Sequence, residues 1–381
     1  MKLKDICIIQ SGGTPSRSKK EYWENGTIPW VKISDFSAKH IINTQESITE
    51  QGMKCSSAKL FPKGTLLYTI FATIGEVGIL DIDATTNQAI VGIMIKNSMV
   101  DQEYLYYYLM SLKDYVNRIG RGVAQNNINM SILRELEIPL PPIEKQKKIS
   151  NIFIQLDKMI EQRQNQIDLI DELVKSRFIE LFGDVIYNDK KWECKRFSDI
   201  TTSRLGKMLD TKHQTGTCQY PYLANFNVQW FRFELNNLNE MDFDEKEQVE
   251  FCLKDGDLLV CEGGEIGRCA VWHSQIKKCF FQKALHRVRC NQKIILPDYL
   301  SWWFKYNCDN GGFSVIEGAK ATISHLTGAK MKVLNVVVPP IELQEQFVVF
   351  LRETDKSKLA VQKSLDELET LKKSLMQEYF G

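Results

Sequence analysis

Histidines and cysteines could hold a metal or act as nucleophiles in this chain, and glycine-rich turns could bind a phosphate. None of these features has the spacing that such chemistry needs. The five histidines and ten cysteines do not fall at metal-ligand spacings. No Walker-type phosphate loop is present, and the GGEIG turn at 263–267 is typical of a hairpin corner. The sequence therefore predicts a chain that is not an enzyme and holds no metal. The histidines are His40, His213, His273, His286 and His325.

Basic residues in loops are the second group that could bind a ligand. Lysines and arginines number 49 against 48 acidic residues, so the formal net charge is only +1. A role with nucleic acid would have to rest on local patches, and each patch alone is typical of a solvated surface. The patches are Arg17, Lys19 and Lys20; Arg118 and Arg121; Lys190, Lys191, Lys195 and Arg196; and Lys320, Lys330 and Lys332.

Length and composition set the broad class. A chain of 381 residues predicts two or three domains, and no apolar run approaches the roughly 20 residues that span a bilayer. The start, MKLKDICIIQSGG, is too short and too polar for a signal peptide. Ten cysteines without a CxxC pair favour reduced, buried thiols. We therefore expect a cytoplasmic protein without a membrane segment.

The element that would position the loops is a segment that occurs twice. Residues 141–183 and 339–381 align without a gap, so that Ile143 matches Ile341 and Gly183 matches Gly381, each 198 positions apart. A period of this length is too long for a solenoid repeat and indicates a duplicated domain-plus-helix unit.

Each copy of this segment is predicted to form one long helix, because apolar residues recur at alternating steps of three and four. Arg163 and Arg177 interrupt the first seam, and Thr354 and Lys358 the second. Two such helices would bury their stripes against each other; the alternative is two unrelated helices, each packed on its own domain. The seam residues are Ile149, Phe153, Leu156, Ile160, Ile167, Ile170, Val174 and Leu181, then Phe347, Leu351, Val361, Leu365, Leu368 and Leu375.

The segments between the helices correspond as well. Gly64 and Gly75 return 192 positions later as Gly256 and Gly267. Their loops differ, with SGGTPSRSKK at 11–20 against TSRLGKMLDTKHQ at 202–214. A shared scaffold with different loops is typical of two related readers of two ligands. A helix over 145–182 would span about 55 Å, or roughly 16 base pairs at ~3.4 Å each, so two such domains could face adjacent major-groove turns.

Three features together carry a family resemblance. They are the paired PPIExQ-helix-FG segments, the KGTLLYTIFATIGEVGIL and DGDLLVCEGGEIGRCAVW stretches, and PYLANFNVQWFRF at 221–233. In their order and duplication the chain resembles, over essentially its whole length, the specificity (S) subunit of Type I restriction-modification systems. The first half opens at MKLKDI without a counterpart of the KKWECKRFSDI lead-in of the second, so we expect a slightly shortened start of the first domain.

The resemblance implies a fold and a set of domains. The expected class is α+β, with two similar globular α/β domains, each holding a twisted mixed or antiparallel sheet, separated by two long helices that form an antiparallel coiled coil. The domains would be target-recognition domain 1 at 1–140, a central helix at 141–183, target-recognition domain 2 at 184–338 and a C-terminal helix at 339–381.

The resemblance also implies a function. Each recognition domain would read one part of a split, asymmetric sequence in double-stranded DNA, and the helices would set the gap between the parts. The partners would be two modification methyltransferase subunits, which carry the S-adenosylmethionine, and translocating restriction subunits. This chain itself would hold no cofactor.

The loops of the two domains are then expected to contact bases, and the lysines and arginines around them phosphates. For each residue the alternative is a solvated loop position or a turn cap. Trp30, Trp230 and Trp272 are expected in the core rather than stacked on DNA. The candidates are Thr14, Ser16, Arg17, Lys19, Lys32, Ser34, Arg121, Gln125, Asn126 and Asn127 in the first domain, and Arg204, Lys207, Lys212, Asn225, Asn227, Gln229, Lys320 and Thr322 in the second.

Two other functions stay open at this point. A coiled-coil scaffold could join two protein partners without reading DNA, and it would show no sequence-selective DNA affinity even with its partners. A specificity subunit of a related system would instead bind a fused nuclease-methylase partner. Methyltransferase activity of the chain alone would favour an enzyme.

Overall fold

The computed structural model describes residues 1–120, 128–209, 214, 216–313 and 325–381. The chain forms two compact units, the first made of Met1–Asn165 and Gln362–Gly381 and the second of Gln166–Val361. Both units combine helices with sheets, as the predicted α+β class requires. The boundaries of the four predicted domains stay a prediction.

The first unit is built on two sheets. The larger sheet contains β1 (Cys7–Ser11), β3 (His40–Ile41), β5 (Leu66–Thr69), β6 (Val77–Leu80) and β8 (Ile90–Ile95), and the smaller contains β2 (Ile28–Val31), β4 (Glu46–Ile48) and β7 (Thr85–Thr86). The strand orders are β1-β8-β5-β6-β3 and β4-β2-β7. Pairs β3–β6 and β2–β7 are parallel and the other pairs antiparallel, so both sheets are mixed.

Helices pack against both sheets of the first unit. They are α1 (Leu3–Ile6), α2 (Glu50–Lys54), α3 (Gln102–Ser111), α4 (Lys113–Gly120) and α5 (Met130–Glu135). Strand β5 is buried on both faces. Its side chains alternate between the two faces, so that Leu66 and Tyr68 join the core that includes α3, and Leu67 joins a second cluster. The sequence EYLYYYLMSLKDYVNRIG at 103–120 indicates one helix, but the structure interrupts it at Leu112, the C-cap of α3.

The second unit repeats this architecture. Its strands are β9 (Glu193–Arg196), β10 (Thr201–Leu205), β11 (Gln219–Leu223), β12 (Val228–Gln229), β13 (Arg232–Phe233), β14 (Asn239–Asp242), β15 (Leu258–Cys261), β16 (Cys269–Val271), β17 (Phe280–Phe281), β18 (Leu285–Cys290) and β19 (Asn335–Val338). The sheet orders β10-β18-β15-β16 and β14-β11-β17 match β1-β8-β5-β6 and β4-β2-β7, including the parallel pair β11–β17. The two units therefore share one topology in their main sheets.

Short helices and two further strand pairs complete the second unit. The helices are α7 (Phe197–Ile200), α8 (Glu245–Phe251), α9 (Pro297–Asp309) and α10 (Gly328–Lys332). Strands β12 and β13 form one antiparallel pair, and β19 and β9 another.

Two long helices, α6 (Ile143–Phe182) and α11 (Ile341–Phe380), have 40 residues each. Within the first unit Phe153 stacks on Phe380 with ring centroids 5.5 Å apart, and Asp157 binds Lys372. The contact residue with the higher number in α6 has the partner with the lower number in α11, so these two helical segments are antiparallel. The seam is buried as predicted at Ile149, Phe153 and Leu156.

The helices meet in the same sense within the second unit. There Asp171 of α6 binds Lys358 of α11, and Phe178 lies 5.5 Å from Phe347. Arg177, which interrupts the predicted seam, pairs with Glu180 at 2.8 Å. Its guanidinium lies over the Phe350 ring, so the charge has both a carboxylate and an aromatic partner.

A buried glutamine near the start of each long helix joins it to its globular part. Gln146 and Gln344 correspond in the repeat and are 1% and 0% exposed. The Gln146 amide accepts from the Asp101 backbone N–H at 2.9 Å and donates to the Met99 and Pro141 carbonyls at 2.9 and 2.8 Å. Asp101 is the N-cap of α3, so this side chain fixes α3 against α6.

Gln344 repeats the same three bonds in the second unit. Its amide accepts from the Leu296 N–H at 2.8 Å and donates to the Ile294 and Pro339 carbonyls at 3.0 and 2.8 Å. Leu296 is the N-cap of α9. Buried polar groups must be hydrogen-bonded, and each glutamine finds its partners only in one arrangement of its surroundings. Within each unit this side chain therefore fixes the long helix against the globular part.

The remaining predictions on composition concern membranes and thiols. No helix in the described part of the chain combines the length and the apolarity needed to cross a membrane. All ten cysteines are free thiols. Cys261, Cys269 and Cys279 are buried as predicted, but Cys55, Cys194 and Cys218 are exposed, so the expectation of buried thiols is wrong for these three. Burial raises the pKa of Cys279 to about 12, so this thiol stays protonated.

Candidate nucleic-acid interface

The loop after β1 meets the turn before β8, and we call residues 11–14 with 86–90 the first junction. The Gly12 N–H donates to the Ile90 carbonyl at 3.0 Å and the Gly13 N–H to the Thr86 carbonyl at 2.8 Å. A Cβ on Gly12 would lie 2.4 Å from the Asn87 carbonyl oxygen, so only glycine allows this close approach. The next residue, Thr14, donates its hydroxyl to Gln88 Oε1.

Residues 205–208 with 281–285 form the second junction and repeat this backbone. The Gly206 N–H donates to the Leu285 carbonyl at 3.0 Å and the Lys207 N–H to the Phe281 carbonyl at 3.1 Å. A Cβ on Gly206 would lie 2.3 Å from the Gln282 carbonyl oxygen. Both junctions are thus fixed by main-chain bonds that do not depend on the exposed side chains.

The first junction is flanked by paired cations. Arg17 and Lys32 share the carboxylate of Glu46, at 2.5 and 2.7 Å, and these two bonds lower the pKa of Glu46. The Arg17 guanidinium also lies 3.6 Å from the centre of the Trp23 ring. Trp30 is buried in the core, as predicted, and its indole N–H donates to the Gly13 carbonyl at 3.1 Å.

The other described candidates of the first unit lie at the surface. Ser16 Oγ is 2.9 Å from Ser18 Oγ, and Lys19 Nζ donates to the Tyr22 hydroxyl at 3.0 Å. Ser34 is exposed. Arg17 and Lys32 come together at one carboxylate although 15 positions separate them in the chain, a proximity that only the fold decides.

In the second unit, Arg204 and Lys207 also have acidic partners. Lys207 Nζ lies 2.6 Å from Glu247 Oε2, and Arg204 pairs with Glu250. Together with Met208 and Lys283 these cations line an open groove of about 600 Å³. An anionic backbone could enter such a groove because each cation can exchange its carboxylate for a phosphate.

The three amide candidates of the second unit hold a turn together. Asn227 is 1% exposed; its Oδ1 accepts from the Ala224 N–H at 2.9 Å and its Nδ2 donates to the Glu234 carbonyl at 2.9 Å. Asn225 binds the Arg268 guanidinium at 2.6 Å, and Gln229 donates to the Phe226 carbonyl at 2.9 Å. The structure gives Asn227 a buried turn-capping role, with its oxygen accepting one main-chain bond and its nitrogen donating another.

Seven candidates lie outside the described residues. They are Arg121, Gln125, Asn126, Asn127, Lys212, Lys320 and Thr322.

The histidines do not assemble a site in the described part of the chain, where no cluster of three potential metal ligands occurs. His40 lies 3.3 Å from Asp81 and His273 lies 3.8 Å from Asp255, both at the surface. His286 is buried in β18, and burial lowers its pKa.

A family model for the "Type I restriction modification DNA specificity domain" matches the chain twice, over residues 1–170 and 189–370. The two matches include both junctions and nearly the whole sequence. The chain belongs to this family. The resemblance predicted from the duplicated segments is therefore confirmed.

Two curated relatives are specificity subunits by name. The chain is 36% identical over 219 residues to the MjaIX specificity subunit of Methanocaldococcus jannaschii, covering 52% of this chain and 50% of that protein. It is 28% identical over 197 residues to the EcoR124I/EcoR124II specificity subunit of Escherichia coli, covering 50% and 48%. The chain thus spans about half the length of these curated relatives.

Solved structures show the same fold. The S subunit of a Type I restriction-modification system from M. genitalium has a TM-score of 0.57 at 15% identity, with 100% of this chain and 95% of that chain covered. A chain from a structure of Type I restriction-modification complex assembly and conformational transition has a TM-score of 0.58 at 16% identity, with 100% and 96% covered. At these identities the likeness supports the predicted α+β fold and nothing further.

Two exposed residues of the junctions, Gln88 and Lys283, are not among the candidates predicted from the sequence. They are 195 positions apart, the same offset that relates Tyr104 to Tyr299. Aligning the halves at that offset would have paired them as unlike polar side chains at one equivalent position.

Proposed function

We propose that this chain is the DNA-recognition subunit of a Type I restriction-modification complex and that it has no catalytic role of its own. In this proposal each unit reads one part of a bipartite, asymmetric target in double-stranded DNA. The observation that carries it is the duplicated junction: one backbone arrangement occurs twice, with Thr14 and Gln88 in the first copy and Met208 and Lys283 in the second. A reader of two unlike half-sites needs this combination of a common scaffold and different exposed side chains.

The proposal assigns a spacer role to α6 and α11. A helix of 40 residues is about 60 Å long at ~1.5 Å per residue. This length corresponds to roughly 18 base pairs of duplex at ~3.4 Å each. Helix length would then set the number of unread base pairs between the two half-sites.

Partner docking is the third part of the proposal. Leu173 and Leu371 correspond in the repeat and are 52% and 46% exposed. Apolar side chains exposed at equivalent positions of a repeat suit two identical partners, because each partner meets the same chemistry. We propose that these partners are two methyltransferase subunits, which bind S-adenosylmethionine, and that restriction subunits join through them.

Methylome sequencing tests the reading function. Cells that express this chain with its methyltransferase partner should methylate a motif of two unlike parts with a fixed gap, and cells lacking the chain should not. Replacing residues 1–140 by those of another family member should change one part of the motif only. An unchanged motif after this exchange would contradict the proposal, and a scaffold that does not read DNA would give no motif at all.

The spacer role has a separate test. The variant has seven residues inserted after Asn165 and seven after Val361, at the boundary of the two units. Seven residues add about two turns to each helix and keep the apolar stripe in phase. The added length of about 10 Å should widen the gap by about 3 base pairs and leave both half-sequences unchanged. A gap of unchanged length in an active complex would show that the helices do not measure it.

A further inference from the structure

Each junction presents one pair of touching side chains at equivalent positions, of which Thr14 is half-buried and the other three are exposed. In the first junction Thr14 donates its hydroxyl to the Oε1 atom of Gln88. In the second, Lys283 Nζ lies 3.9 Å from the Sδ atom of Met208. Thr14 and Met208 each follow the residue whose N–H closes the junction, and Gln88 and Lys283 lie two residues before β8 and β18.

The fold holds the backbone of these pairs without using their side chains. The Asn87 N–H donates to the Val31 carbonyl at 3.0 Å, and the equivalent Gln282 N–H donates to the Leu223 carbonyl at 3.0 Å. These bonds fix the residue just before Gln88 and Lys283 in each unit. A rigid backbone that leaves its side chains exposed suits specific contacts, because little order is lost on binding.

Neither side chain is committed to the fold. Gln88 and Lys283 are both exposed, and within the described ranges the Gln88 amide contacts only Thr14 while Lys283 makes no ion pair. This distinguishes them from Arg17, Lys32 and Lys207, whose charges are shared with carboxylates. Stability of the fold therefore gives no reason for a glutamine at one position and a lysine at the other.

On the basis of the proposed function, we propose that Gln88 and Lys283 are the equivalent base-reading residues of the two units. Gln88 would contact an adenine in the first half-site and Lys283 a guanine in the second. A glutamine amide matches the N6 donor and the N7 acceptor of adenine, whereas a lysine ammonium matches the O6 and N7 acceptors of guanine.

The neighbouring side chains prepare these contacts. The Thr14 hydroxyl holds Gln88 Oε1, so that Nε2 stays available to donate to N7 and Oε1 keeps a second lone pair for the N6 amino group. The Met208 thioether is only a weak acceptor, so it orients Lys283 without neutralising it. The cations beside each pair, Arg17 in the first unit and Lys207 in the second, would hold the DNA backbone.

Single exchanges between the two positions test this inference in the complete complex with methyltransferase subunits. The variants are Gln88→Lys and Lys283→Gln, and the matched control is Lys293→Gln, which removes an exposed lysine beyond the other end of β18. Methylome sequencing and selection from a randomised duplex library give the preferred base at each position. Equal melting temperatures confirm that every variant is folded.

We expect each exchange to alter one position of one half-site. Gln88→Lys should move one first-half position from A·T towards G·C, and Lys283→Gln should move one second-half position from G·C towards A·T. The preference for the original base should fall by about 5- to 150-fold. The Lys293→Gln control should keep the wild-type motif.

Other outcomes overturn the inference in separable ways. A wild-type split motif that neither exchange changes refutes base reading at these positions and leaves the proposed function intact. Uniformly weaker binding of all sequences by Lys283→Gln, with a shallower salt dependence, would make Lys283 a phosphate contact. If wild-type chain with its methyltransferase partner produced no motif, the proposed function would fail and this inference with it.

Discussion

Replacing Gln146 by leucine should loosen the first unit where α3 meets α6. The side chain is 1% exposed, and its amide bonds the Asp101 N–H and the carbonyls of Met99 and Pro141 at 2.8 to 2.9 Å. Leucine has a similar volume but no polar atom. The substitution therefore leaves three main-chain groups without this partner, two at the half-buried Asp101 and Pro141 and one at the exposed Met99.

The expected cost follows from these three groups. A hydrogen bond contributes about 1 kcal/mol net, and an unsatisfied buried group costs about 1 to 3 kcal/mol. Three such bonds give about 3 kcal/mol, and water that reaches the exposed Met99 would keep the cost well below the upper limit near 9 kcal/mol. Gln146→Glu should be at least as damaging at neutral pH, because a carboxylate would face two carbonyl oxygens and has no hydrogen to donate to them.

Hydrogen exchange measured by mass spectrometry is the suitable assay. A chain with two units need not unfold in a single transition, whereas exchange reports local opening. A loss of about 3 kcal/mol corresponds to roughly 150-fold faster exchange in peptides covering Gln102–Ser111. Gln344→Leu should produce the same acceleration in peptides covering Pro297–Asp309.

The control is Lys148→Ala, an exposed position near the start of α6. A surface substitution of this kind should change stability by less than about 0.5 kcal/mol. If Gln146→Leu accelerated exchange around α3 by less than about fivefold, the three bonds would contribute little. Gln146 and Gln344 would then not be the side chains that join the globular part to the long helix in each unit.

Three further predictions concern docking, charge and pH. Leu173→Glu and Leu371→Glu should each remove one methyltransferase subunit, detected by native mass spectrometry, whereas Val249→Glu, at an 81% exposed position on α8, should leave the stoichiometry unchanged. Glu46→Gln frees two cations, Arg17 and Lys32, from their shared carboxylate and should tighten DNA binding at low salt. The slope of log K against log salt concentration should become steeper by about 1 to 2. An unchanged slope would place both cations away from DNA. Burial lowers the pKa of His286, so below about pH 6.5 the unfolded chain binds more protons than the folded chain. The melting temperature of the second unit should therefore fall as the pH falls through this range. His286→Gln should abolish that part of the pH dependence, and an unaltered profile would assign it to other groups.

The long helices and the duplication could be predicted from the sequence because both are properties of residue spacing. Apolar steps of three and four residues indicate a helix wherever it packs, and an ungapped match between 141–183 and 339–381 is visible without coordinates. The mixed sheets follow less directly. The sequence IPWVKISDF at 28–36 indicates one strand, but the strand ends at Val31 and a turn follows at Ile33–Asp35. The Asp35 side chain accepts from the Lys32 N–H at 2.8 Å and so offers the backbone an alternative to strand pairing.

The contents of the candidate interface were decided by the tertiary structure. Thr14 and Gln88 are 74 positions apart, and no local pattern indicates that they touch. Asn227 has the residue type expected of a base contact, yet the fold uses its amide to cap a turn. Periodicity and repetition are properties of residue order, so the chain predicts two copies of one scaffold with unlike loops without any coordinates. Which loop residues face outward together depends on long-range strand pairing, which brings distant segments into register and decides whether a polar side chain is buried or left free to bind.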